Sequence, residues 1–115
     1  MTEQSRSSLA GAIDALWAKF LPEIEQRVSL LQAAAVVLGA GKLTPEQQEE
    51  AHAAAHKLAG TLGTFGLSRG TELARELEAA YAPGPAPGAA HAARTQQMAG
   101  ELRAIVAGRK TSGPD

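Results

Sequence analysis

The sequence contains no cysteine, so its fold rests on no disulfide, and thiolate metal sites and cysteine nucleophiles are excluded. Aromatic residues make up only 3% of the chain: one Trp, one Tyr and two Phe. A hydrophobic content of 44% must then be built mainly from Leu, Ala, Ile and Val, residues that suit helix-on-helix packing. Charge of one sign is also missing. Eleven basic and twelve acidic side chains are interspersed to a net charge of −1, which leaves no basic stripe to neutralise phosphates, so nucleic-acid binding is not expected. Long apolar runs are absent as well: Asp14 and Lys19 interrupt the first apolar pattern, and neither a membrane span nor a signal peptide is expected. A cytoplasmic protein without a membrane partner is the expectation, and 115 residues leave room for one domain.

Apolar residues recur at helical spacing along most of the chain. Leu9, Ile13, Leu16, Trp17 and Phe20 predict a first helix over 7–20 that caps one end of the molecule. Pro22 suits the opening turn of a second helix, carried by Ile24, Val28, Leu31, Ala35 and Leu38; the alternative is one helix kinked at the proline. After the turn Gly39-Ala40-Gly41, Thr44-Pro45-Glu46-Gln47 reads as N-cap, N1 proline and capping-box glutamine of a third helix that ends near Gly66. Ser68 is the expected cap of a fourth helix with Leu73, Ala74, Leu77 and Tyr81 inward. The segment 83–88, rich in proline and glycine, then leads to a fifth helix with Thr95, Met98, Leu102 and Ile105 inward. With no strand pattern and no internal repeat, the expected fold is all-α: an antiparallel four-helix bundle with an additional N-terminal helix. Residues 1–6 and 108–115 are expected to be flexible ends, and 7–107 the bundle.

The third helix carries the unusual stretch. At about 100° per residue, Ala51, Ala54, Leu58, Leu62 and Phe65 fall on one arc, and Glu49, His52, His56, Ala59, Gly60 and Gly63 on the other. His56 is thus expected to point outward among small and polar neighbours. Gly60 and Gly63 each give up about 1 kcal/mol of helix stability relative to alanine, a cost that close approach by a partner explains. The glycines of 60–66 follow no strand, so a nucleotide-cradling loop is a poor reading.

The run Ala55-His56-Lys57-Leu58-Ala59-Gly60-Thr61-Leu62-Gly63-Thr64-Phe65-Gly66-Leu67 resembles the motif of histidine-containing phosphotransfer (HPt) domains of histidine-kinase phosphorelays. The helical layout, with the Leu77-Glu78 pair on the following helix, extends the likeness over most of the chain. The resemblance implies that His56 is phosphorylated, that Gly60 admits a docking receiver domain, and that Glu78 hydrogen-bonds the imidazole. It also implies a response-regulator receiver and a histidine kinase as partners in two-component signalling. The chain is then a phosphoryl carrier and not an enzyme, binds no cofactor of its own, and meets Mg²⁺ only on the partner. One departure is plain: the lysine common three residues after the family histidine is replaced by Ala59. Lys57 is the nearby lysine, about 100° away round the helix. Arg75 either adds positive charge at the site or pairs with Glu72 or Glu78, each three residues away.

On this reading His56 is the phosphoacceptor, with Glu78, Arg75 and Lys57 as supporting residues and His52, Ala59, Gly60 and Gly63 as the docking surface. A carboxylate on one ring nitrogen fixes the tautomer and leaves the other nitrogen nucleophilic. Two other classes remain open: a helical adaptor that is not phosphorylated, and a bundle holding a metal through His52 and His56 at i and i+4. The second needs further ligands, for which Glu49 and His91 are the candidates.

Overall fold

The structure is a computed structural model and describes residues 3–110. Four α-helices follow in order: α1 (Glu3–Gly39), α2 (Pro45–Thr64), α3 (Ser68–Ala80) and α4 (Ala92–Lys110), with a short 3₁₀ turn (Ala89–His91) before α4. Among the described residues there is no strand. α1 and α3 each pack on both α2 and α4, so α1 and α3 lie on one diagonal of the bundle.

The two helices expected before residue 39 are one. α1 runs unbroken through Pro22, where a proline removes one backbone hydrogen bond and crowds the carbonyl four residues back. Pro22 and Ala18 are both exposed, so the freed carbonyl faces water and the break is tolerated. Thirty-seven residues at 1.5 Å each make a rod of about 55 Å, as long as the molecule, which measures 54 × 24 × 20 Å.

Only the second half of this rod is fully engaged in the core. Ile24, Val28, Leu31, Ala35 and Leu38 are buried as their spacing predicts. In the first half Trp17 is the one buried residue among those described, whereas Leu9 (55%), Ile13 (40%), Leu16 (48%) and Phe20 (37%) stay open to solvent. The expected end-cap helix is therefore corrected to an extension of α1 carrying an exposed apolar stripe. At its root Trp17 meets Phe65 edge to face, centroids 5.1 Å apart, while Arg109 lies over the indole and donates to Asp14 at 2.7 Å.

α2 begins where the sequence places it. The Thr44 hydroxyl accepts from Gln47 N–H at 3.1 Å and the Gln47 side chain accepts from Thr44 N–H at 2.9 Å, a complete capping box before Pro45. Thr44→Ala is expected to lower stability by about 1 kcal/mol, read as a shift of the urea midpoint at unchanged slope. The helix closes at Thr64; Gly66 takes φ +73°, and Leu67 N–H reaches the Leu62 carbonyl at 3.0 Å, a glycine-dependent end.

α3 differs from expectation at its start. Ser68 is its first residue and no side chain caps it; the N-cap position falls to Leu67. Its inward residues Leu73, Ala74, Leu77 and Tyr81 are buried, as are Thr95, Met98 and Leu102 of α4, while Ile105 is half-buried and Val106 takes a core place. Arg69 joins α3 to α4 through Glu101 at 2.8 Å, a hydrogen bond that holds the Glu101 carboxyl below its ordinary range. Arg103 joins α4 to α1 through Gln32 and Ser29. Glu3–Arg6 and 108–110, expected to belong to flexible ends, are helical, and 1–2 and 111–115 lie outside the described residues.

Candidate functional site

α2 and α3 are antiparallel neighbours joined by the short turn 65–67. Burial of Ala51, Ala55, Leu58 and Leu62 on one arc of α2 and of Leu73 and Leu77 on α3 sets the rotation of both helices. His56 is thereby turned outward, with its side chain 72% exposed. Its Nδ1 lies 2.8 Å from Glu78 Oε2 on α3. His52, one turn earlier on α2, has its Nε2 3.9 Å from the same oxygen. Glu78 itself is only 28% exposed, held down between the helices. A carboxylate accepts hydrogen bonds and does not donate when ionised, so Nδ1 carries the shared proton and Nε2 is left as the nitrogen with an available lone pair. No hydrogen bond engages Nε2 among the described residues.

An open concavity of about 560 Å³ surrounds this pair, lined by His52, His56, Ala59, Gly60, Arg75, Glu78, Ala79 and Ala82. Gly60 is exposed, and a Cβ built there meets no atom within 4 Å. The bundle itself therefore does not require glycine at this position. Gly63 is exposed as well but does not line the concavity, and a Cβ there meets Thr71 Oγ1 of α3 at 3.7 Å, an ordinary contact. Ala59 lines the concavity but is only 6% exposed, which corrects its expected place on the outer arc: it contributes a floor rather than a surface.

The cationic candidates separate. Arg75 lines the concavity with His56. Lys57 does not; it faces a groove between α1 and α2 with Arg27 and Glu50, as its position 100° round the helix from His56 requires. The feature that sequence reasoning passed over is Gln48. This buried side chain donates from Nε2 to the Ala82 carbonyl at 2.8 Å and the Gly84 carbonyl at 3.4 Å. It ties the start of α2 to the end of α3 and walls a second depression of about 410 Å³ beside His52. A glutamine between capping-box and apolar positions gives no periodic sign of such a role.

His52 and His56 share Glu78, yet no group of three or more His, Cys, Asp or Glu side chains that could hold a metal occurs among the described residues. His91 is exposed at the end of the 3₁₀ turn, outside this concavity. No helix among the described residues is long and apolar enough to cross a membrane.

Comparison with known proteins agrees with this architecture. The family model of the Hpt domain matches residues 15–108, which takes in His56, Glu78, the whole of α2 and α3 and most of α1 and α4. Protein RcaC of Microchaete diplosiphon is 36% identical over 74 residues, 64% of this chain but 11% of RcaC, so the chain corresponds to a small part of that relative. No solved structure matches the chain. The helical bundle and a family match over residues 15–108 together establish that the chain belongs to the Hpt domain family, whose role is histidine phosphotransfer in two-component signalling.

Proposed function

We propose that His56 accepts a phosphoryl group and relays it to or from the aspartate of a receiver domain. The observation that carries this reading is the exposed His56 ring held through Nδ1 by Glu78 at 2.8 Å. A fixed ring presents one nitrogen outward, and phosphoryl transfer depends mainly on such positioning and on charge neutralisation.

Transfer from a receiver then balances without a separate base. The Nε2 lone pair attacks phosphorus, a P–N bond forms as the P–O bond to the aspartyl carboxyl breaks, and the electron pair returns to that carboxylate. The ring keeps its Nδ1 proton and becomes a phosphoimidazolium, whose positive charge faces Glu78. Reversal regenerates the neutral ring. Mg²⁺ on the receiver or kinase supplies charge neutralisation for the transferring group, and the concavity around Gly60 gives the partner room to approach. His52, 3.9 Å from the Glu78 oxygen, lies on the flank of that docking face.

The test is labelling from a phosphorylated receiver or a histidine kinase. The parent chain is expected to gain acid-labile, alkali-stable label, and His56→Gln to gain none. Label surviving in His56→Gln removes His56 from the mechanism, and absence of label with any partner favours the unphosphorylated adaptor.

A further inference from the structure

We infer that Arg75 is the residue of this chain that binds the phosphoryl group on His56; the inference rests on the proposed phosphorylation of that histidine. A phosphoryl group on an exposed mid-helix side chain brings one to two negative charges to a place where no helix N-terminus supplies N–H donors. Charge must come from a side chain. Three observations single out Arg75.

Position is the first. His56 meets Glu78 and Gly63 meets Thr71, and this antiparallel register sets Arg75 opposite Ala59 and Gly60, one turn along the same face from His56. Arg75 and His56 accordingly line one concavity.

Availability is the second. The three acids within one turn of Arg75 on α3 are engaged elsewhere: Glu72 with Arg69 at 3.4 Å, Glu76 with Arg94 at 3.3 Å and Glu78 with His56 at 2.8 Å. Among the described residues Arg75 makes no ion pair or hydrogen bond, in contrast to Arg69 with Glu101, Arg94 with Glu76 and Arg109 with Asp14. An exposed arginine left unpaired beside an exposed histidine keeps its five donors free.

Clearance is the third. Ala59 is small and buried, and nothing stands within 4 Å of a Cβ built on Gly60. The space between Arg75 and His56 is therefore not filled by side chains of α2. A guanidinium crossing it presents two parallel N–H donors to two phosphoryl oxygens, the geometry for which arginine is suited and lysine is not. Arg75 forms and breaks no covalent bond in this role; it stabilises the phosphorylated state. Lys57 is set apart on the α1 side of α2.

Equilibrium transfer from a phosphorylated receiver tests the assignment in the full chain, with Arg75→Gln and Arg75→Lys beside the parent. Arg75 is exposed, so both variants are expected to keep the parent circular dichroism. Arg75→Gln is expected to lower the equilibrium constant for phosphorylation by about tenfold, and Arg75→Lys to retain part of that loss. The specific readout is the ³¹P titration of the phosphohistidine: a bound cation favours the dianion, so Arg75→Gln should move the phosphoryl protonation midpoint upward. A purely structural role leaves that midpoint in place. Equal phosphorylation and superimposable titrations in parent and Arg75→Gln overturn the inference while leaving His56 as acceptor. Failure of the parent to take up label overturns the reading of His56, and this inference with it.

Discussion

Gly60→Leu is expected to fold as the parent does, to resist unfolding slightly better, and to exchange phosphoryl groups with its receiver about a hundredfold more slowly. The two effects have opposite sign because they arise on opposite sides of the same atom. Within the bundle, a Cβ at Gly60 meets nothing within 4 Å, and replacing an interior helix glycine by a good helix former recovers about 1 kcal/mol. Outside the bundle, the added isobutyl group stands in the concavity shared by His56 and Arg75, where the proposed transfer brings a receiver within bonding distance of Nε2. An ångström of displacement suffices to remove the alignment needed for in-line transfer. Thermal unfolding and the single-turnover transfer rate measure the two sides independently. A variant with unchanged transfer contradicts the docking role of this glycine.

Trp17→Ala carries the largest expected loss of stability, about 3–5 kcal/mol, a large share of the 5–15 kcal/mol available to a typical domain. The indole is 3% exposed and stands where three elements converge. Phe65 at the end of α2 meets its edge, Arg109 of α4 covers its face, and Arg109 is in turn anchored on Asp14 of α1. Deleting the ring opens a cavity, removes an aromatic pair and strips Arg109 of its platform. Urea denaturation followed by circular dichroism measures the change without relying on the lost tryptophan. The His56–Glu78 hydrogen bond lies apart from this cluster, so transfer per folded molecule is expected to match the parent. A loss below 1 kcal/mol would show that the convergence at Trp17 does not support the bundle.

Much of the architecture was legible because periodicity and capping chemistry act locally. The stripe Ile24 to Leu38, the capping box at Thr44, and the inward Leu73, Leu77 and Leu102 are buried or bonded as their spacing requires. The errors fall where tertiary context decides. Helical spacing at Leu9, Ile13, Leu16 and Phe20 states that they share one side of a helix, and cannot state that a neighbouring helix reaches that far. Whether Pro22 splits a helix depends on which side its freed carbonyl faces, which is set by packing. Ser68 has the chemistry of a cap, but the tight Gly66 turn places it inside the helix.

At the candidate site the same division holds. The outward direction of His56 follows from the apolar arc of α2. Its distance from Glu78, the burial of Ala59, and the separation of Lys57 from Arg75 depend on the register between α2 and α3. A one-residue slip along that seam would exchange these neighbours, and no pattern within either helix records it. Gln48 belongs to the same class, because its partners Ala82 and Gly84 lie beyond the end of another helix.

The most direct measurement is the position of the phosphoryl group on the protein. With the chain labelled in its ring nitrogens and phosphorylated by a receiver or kinase, ¹⁵N–³¹P correlation identifies the bonded atom. The expected result is a single phosphohistidine at His56 with phosphorus on Nε2, since Glu78 holds Nδ1 at 2.8 Å. Phosphorus on Nδ1 of His56, or on His52 or His91, would contradict the account.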